Sequence, residues 1–183
     1  MRTPALALVA VLVAFAAFAS AAIERLDLPQ MVQRADGGIH GRIVAKNVIR
    51  IDHEVDGMKL YYTTLTIEGT NLATGAAQLV DVTFPGGFVN ESEGVFNSEA
   101  PSADDQKVGN EVVAFWKHEE NMGGDLAGNA LMCSHGGLYR VFDSKKGRIV
   151  QGRGDGYAID RNVALTDLKT RVTGLSEQKQ QKR

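Results

Sequence analysis

Along residues 39–51 apolar and polar positions alternate as in a strand, with Ile39, Gly41, Ile43 and Ala45 on one face and His40, Arg42 and Val44 on the other. Glu54-Val55-Asp56-Gly57 predicts a hairpin turn, because Asp-Gly tolerates positive φ. Residues 60–70, rich in Tyr, Thr, Leu and Ile, predict the returning strand, and residues 71–76 a loop. A third strand follows over 78–84, which Pro85 must end or confine to a sheet edge. After a long polar stretch, Lys107-Val108-Gly109-Asn110 predicts a turn into a strand over 111–116. Residues 121–129 read as a second glycine-rich loop, and 138–142 with 148–151 as a hairpin across 143–147.

Helical signals are confined to the two ends. Asp27 is placed to cap a helix, Pro29 sits in its first turn, and Leu28, Met31, Val32 and Ala35 share one face before Gly37-Gly38. Near the C-terminus Thr166 is placed to cap a short helix carrying Leu165, Leu168 and Val172 and closing near Gly174. Short strands with a small helix at each end predict a mainly β fold: a small antiparallel, OB-like barrel or sandwich. A closed barrel also removes the exposed edges of an open sheet. Strands do not alternate with long helices, which argues against an α/β fold.

The first residues change the picture of where such a domain works. Arg2 precedes an apolar run from Ala5 to Ala19, and Ala19-Ser20-Ala21 offers the small residues a signal peptidase inspects. That run is shorter than the roughly 20 residues of a membrane span. The expected organisation is a signal peptide over 1–21, a single β-barrel domain over 22–174 and a disordered basic tail over 175–183. The expected location is outside the cytoplasm, in the periplasm or the medium. A net charge of −2 gives no electrostatic argument for nucleic acid or an anionic membrane as partner. Cys133 is the single cysteine, so the fold must stand on its core, or on metal, without an internal disulfide.

Several segments together resemble a known group. They are L-x-x-M-V-x-R-A-D (Leu28 to Asp36), G-I-x-G-R-I-V (Gly38 to Val44), D-V-T-F-P-G-G (Asp81 to Gly87), V-G-N-E-V-V-A-F (Val108 to Phe115) and G-G-L-Y-R-V-F (Gly136 to Phe142). The pattern is similar to that of uncharacterised exported bacterial proteins. Their layout in turn resembles the OB-type barrel of netrin-like modules and tissue inhibitors of metalloproteases. The resemblance implies a fold. It does not imply inhibition, because those inhibitors clamp zinc through an N-terminal cysteine, where this chain has Ala22 or Ile23.

Two loops are the candidate binding surfaces, 85–107 and 121–130. In the first, Pro85-Gly86-Gly87 reverses the chain sharply and launches a stretch longer than structureless connections usually run. It carries Glu91, Glu93, Glu99, Asp104 and Asp105 with apolar Phe88, Val89, Val95 and Phe96. As a plain lid it would turn the apolar residues inward and leave the acids in water. As a binding surface, Glu91, Glu93, Phe96, Asp104 and Asp105 would face a partner or a calcium ion, although the spacing is not that of an EF-hand.

Cys133-Ser134-His135 is the most chemical triplet, since a thiolate beside an imidazole is a nucleophile and C-x-H with His118 or His53 is a metal set. The ordinary alternative is a small buried cysteine. Asp125 or Asn129 is the available orienting group for such a pair. His118-Glu119-Glu120 lacks the second histidine of H-E-x-x-H. Phe115, Trp116 and Tyr139 read as core. Arg153-Gly154-Asp155 spells an integrin-read tripeptide between turn glycines, and Asn90-Glu91-Ser92 spells a glycosylation acceptor.

The leading expectation is an exported, non-enzymatic binding module with a protein or envelope partner and no cofactor. The alternatives are an exported hydrolase or metal-dependent enzyme centred on Cys133 and His135, and a structural envelope component.

Overall fold

The computed structural model describes residues 24–52 and 59–181, so the expected leader and the Glu54–Gly57 turn lie outside the described residues. Helix α1 (Leu28–Arg34) starts with a capping box, in which the Asp27 carboxylate accepts from the Gln30 N–H at 2.8 Å and the Gln30 side chain accepts from the Asp27 N–H at 3.0 Å. Leu28, Met31 and Val32 are buried, as their shared face predicts.

Long strands β1 (Gly37–Asp52), β2 (Lys59–Asn71) and β3 (Ala77–Pro85) form an antiparallel meander. A short hairpin, β4 (Gly87–Asn90) and β5 (Glu93–Val95), follows, then β6 (Glu111–Glu119) and β7 (Gly128–Leu131). Strands β8 (Leu138–Ser144), β9 (Gly147–Val150) and β10 (Val163–Ala164) lead into helix α2 (Leu165–Gln181).

The sheet order β1-β2-β3-β7-β6 closes through a β1–β6 pairing, giving a five-stranded barrel compatible with an OB-like layout. One seam is parallel, with Thr83 of β3 opposite Ala130 of β7, where an all-antiparallel barrel was expected. Along its other edge β6 pairs with β8 near its start and with β7 near its end, so β8–β10 extend the sheet beyond the barrel.

The apolar run of β6 is explained by burial on both faces. Val112, Ala114 and Trp116 point into the barrel with Ile39, Ile43, Leu65, Ile67 and Val82. Val113 and Phe115 point outward, into a second core with Met31, Leu72, Tyr139, Val150, Ile159 and Leu168. Burying each large side chain contributes about 1.5–3 kcal/mol, so the helices and β8–β10 form part of the folded unit that stabilises the barrel wall.

Three expectations are corrected. The β1 alternation breaks at a bulge between Ile43 and Ala45, which leaves Val44 and Ala45 exposed. Helix α2 begins at Leu165, so Thr166 lies inside its first turn, and it runs past Gly174 through Gln181, into the segment read as a tail. Residues 128–131, read as loop up to 130, are a barrel strand.

Candidate functional site

The site grows from the Pro85-Gly86-Gly87 exit. The Gly86 N–H donates to the Tyr61 carbonyl at 2.7 Å, and the Thr63 hydroxyl donates to the Gly86 carbonyl at 2.7 Å. At Gly87 (φ +131°) a Cβ would collide with the Thr63 hydroxyl and press on Val48, so only glycine lets the chain pass this close to the barrel end. Strand β5 brings the chain back. The Asn97 amide then donates to the Pro85 carbonyl at 2.9 Å, closing the base of the hairpin.

Residues 97–106 are tied down in turn. The Glu99 carbonyl accepts from the His135 N–H at 2.9 Å, the Gln106 amide donates to the Pro101 carbonyl at 2.5 Å, and the Asn110 amide donates to the Asp104 carbonyl at 2.7 Å. Between this segment and the hairpin lies an open cleft of about 520 Å³, lined by Phe84, Phe88, Val95, Phe96, Ala100 and Pro101, with His135 and Arg153 at one wall.

The hairpin inverts the lid expectation. Its apolar residues face water, with Phe88 53%, Val95 46% and Phe96 80% exposed. Three acids of residues 85–107 are paired instead. Glu93 accepts from Arg50 at 2.6 Å, Asp104 pairs with Lys107 at 2.6 Å and Asp105 with Arg153 at 3.0 Å. The Arg50 hydrogen bond is the main reason the Glu93 carboxyl titrates below its ordinary range. These three carboxylates meet three different cations, Glu91 is exposed, and the acids do not converge. Among the described residues no group of three or more His, Cys, Asp and Glu side chains is arranged to hold a metal ion.

Cys133 and His135 part company. Cys133 (φ 49°) and Ser134 (φ 54°) are consecutive left-handed residues opening a 3₁₀ turn, Ser134–Gly137. The His135 ring lies between the Glu99 carbonyl (3.1 Å from Nδ1) and the Tyr157 hydroxyl (3.0 Å from Nε2). A carbonyl only accepts, so in the neutral ring Nδ1 carries the hydrogen and Nε2 accepts from Tyr157. Cys133 lines a separate recess with Glu24, Arg34 and Lys117. Burial, and secondarily the Glu24 charge, push its thiol up to about 11, away from nucleophile chemistry at neutral pH.

His118 is exposed, with Nδ1 3.4 Å from the Asn129 side chain. Asn129 also donates to the Asp81 carbonyl, and the Asp125 carboxylate accepts from Asn121. Neither contact reaches Cys133. Gly123 of the second loop packs near Tyr62, whose hydroxyl donates to the Met122 carbonyl at 2.6 Å, and no residue of 121–130 lines the cleft.

Two residues of the cleft wall carry more than their sequence motifs suggested. Arg153, read within an Arg-Gly-Asp tripeptide, turns inward: its Nε and Nη2 donate to the Leu138 carbonyl at 3.0 and 2.7 Å, and its guanidinium lies 5.7 Å from the Tyr139 ring centre. His135, read with Cys133, serves the cleft instead. Asn90 of the acceptor tripeptide sits at the β4–β5 turn, where its side-chain oxygen accepts from Ser92.

No family model, curated protein or solved structure matches the chain.

Proposed function

We propose that this protein is an exported binding module that takes its ligand in the cleft between the β4–β5 hairpin and residues 97–106. The observation that carries the reading is the exposure of Phe88, Val95 and Phe96 on the rim of an apolar cavity of about 520 Å³. Covering a side chain as exposed as Phe96 would contribute about 1.5–3 kcal/mol to association. Loops held on a rigid scaffold are common places for such work, and this rim is held by Arg50, Asn97 and Thr63. A kinship with exported bacterial proteins of netrin-like layout belongs to the same proposal, as does removal of residues 1–21. No inhibitory activity is carried over with it.

The test is the fluorescence of an apolar dye, anilinonaphthalene sulfonate, titrated with folded protein. Phe96→Ser is expected to cut the enhancement several-fold. Leu79→Ser, which removes another apolar side chain 66% exposed, is expected to leave it unchanged. Equal enhancement in the wild type and Phe96→Ser would overturn the reading.

A further inference from the structure

Beside the cleft, and sharing His135 and Arg153 with it, lies a second recess, of about 230 Å³, lined by polar side chains: Asp105, Arg140, Gln151 and Tyr157 join the two shared residues. Its charges do not cancel. Asp105 is matched by Arg153 at 3.0 Å, while the half-buried Arg140 makes no ion pair among the described residues. One positive charge is in surplus. Arg153 is also fixed before any ligand arrives, through Leu138, Asp105 and the Tyr139 ring, with Nη1 making no hydrogen bond among the described residues. A planar guanidinium held in this way suits a carboxylate.

His135, which borders both recess and cleft, directly follows the pair Cys133–Ser134, both left-handed without being glycine. Such backbone costs on the order of 1 kcal/mol per residue and persists where surrounding contacts hold it, often beside working sites.

Resting on the cleft reading above, we infer that the recess is an anion subsite of the cleft and that the ligand is an amphiphilic monocarboxylate. Its apolar chain lies along Phe88 and Phe96, and its carboxylate lies toward Arg153 and Arg140. The single surplus charge matches a monoanion, and the shared His135–Arg153 wall places the two environments side by side.

The probes are octanoate and 1-octanol, titrated at pH 8 against the isotope-labelled protein and followed by amide chemical shifts. Octanoate is expected to bind about tenfold or more tightly than octanol, the scale of a charge-assisted hydrogen bond. It is expected to perturb both the β4–β5 hairpin and the amides around Arg140 and Gln151. Arg140→Gln is expected to bring octanoate down to the octanol affinity, leaving octanol binding and the melting temperature unchanged. Equal affinities in the wild type, or octanoate binding indifferent to Arg140→Gln, would overturn the anion subsite and leave the cleft reading standing. Failure of both probes to perturb the hairpin would overturn the cleft reading and this inference with it.

Discussion

Lys179, in the last turn of α2, donates to the Ala35 carbonyl at 2.6 Å and lies 3.3 Å from the Val32 carbonyl, at the end of α1. A cation at a helix C-terminus satisfies carbonyls that have no partner within the helix and opposes the negative end of the helix dipole. The polar end of the last helix therefore holds the first one shut.

Lys179→Ala is expected to lower stability by about 1 kcal/mol, from the lost cap and charge–dipole term. Truncation after Gly174 should cost more, since it also removes the α2 turns that help to line a surface recess with Val32 and Ala35. Urea denaturation followed by near-ultraviolet circular dichroism measures both.

Gly41 and Gly69 stand opposite each other in the β1–β2 register, and a Cβ on Gly69 would overlap the His40 carbonyl and the Gly41 Cα. The obstacle is backbone on both sides, so it cannot rotate away. Gly69→Val is expected to cost about 3 kcal/mol or more, on the scale of severe steric strain in a packed interior. A soluble variant with an unchanged urea midpoint would refute this close approach of the two strands.

The Cys133 thiol, pushed up to about 11 from 9.0, is expected to react with iodoacetamide at neutral pH about a hundredfold more slowly than an unperturbed thiol. The rate should rise to the ordinary value in urea. Fast alkylation of the folded protein would restore the case for a nucleophile.

His40 is buried with Nε2 2.6 Å from Glu111, which Arg148 also contacts at 2.7 Å. Burial dominates and lowers the pKa of His40 from 6.5; Glu111 opposes that shift, while Lys169 and Arg148 add to it. Because the folded pKa lies below the unfolded one, the unfolded chain takes up the proton first as pH falls. Stability is therefore expected to decline as pH drops through 6.5 toward the folded pKa, and to level off below it. Urea midpoints between pH 7.5 and 5 should show this slope in the wild type and a flatter profile in His40→Gln, whose amide retains a donor for Glu111.

The long strands were legible because each buries a face over many residues: Ile39, Ile43, Leu65, Ile67 and Val82 announce themselves by alternation. What escaped was whatever depends on a distant partner. Gly128–Leu131 has too little apolar pattern to read as a strand, and is one because β6 and β3 flank it. The β4–β5 hairpin was hidden among acids whose partners, Arg50 and Arg153, lie far away in sequence. The extension of α2 follows good helix formers, Glu, Gln and Lys, docked through Leu175, which packs against the outer core, and through Lys179. At the site, Phe96 was named but its direction was not, since composition does not distinguish a side chain packed beneath a loop from one displayed on it. His135 and Arg153 were read with their sequence neighbours, Cys133 and Asp155, whereas the fold recruits them to a common wall.

The narrow parallel seam has a consequence for how the barrel breathes. Thr83 and Ala130 form its one register pair, helped by the Asn129 amide on the Asp81 carbonyl at 3.1 Å. Such a join is weaker per residue than its antiparallel neighbours and links chain segments far apart in sequence. It would be the last stave to enter the hoop during folding and the first to spring in the native state. Solvent would then reach Val82 and Leu131 while the β1–β2–β3 meander kept its shape, and amide exchange at Ala130 would run ahead of exchange at Ile67.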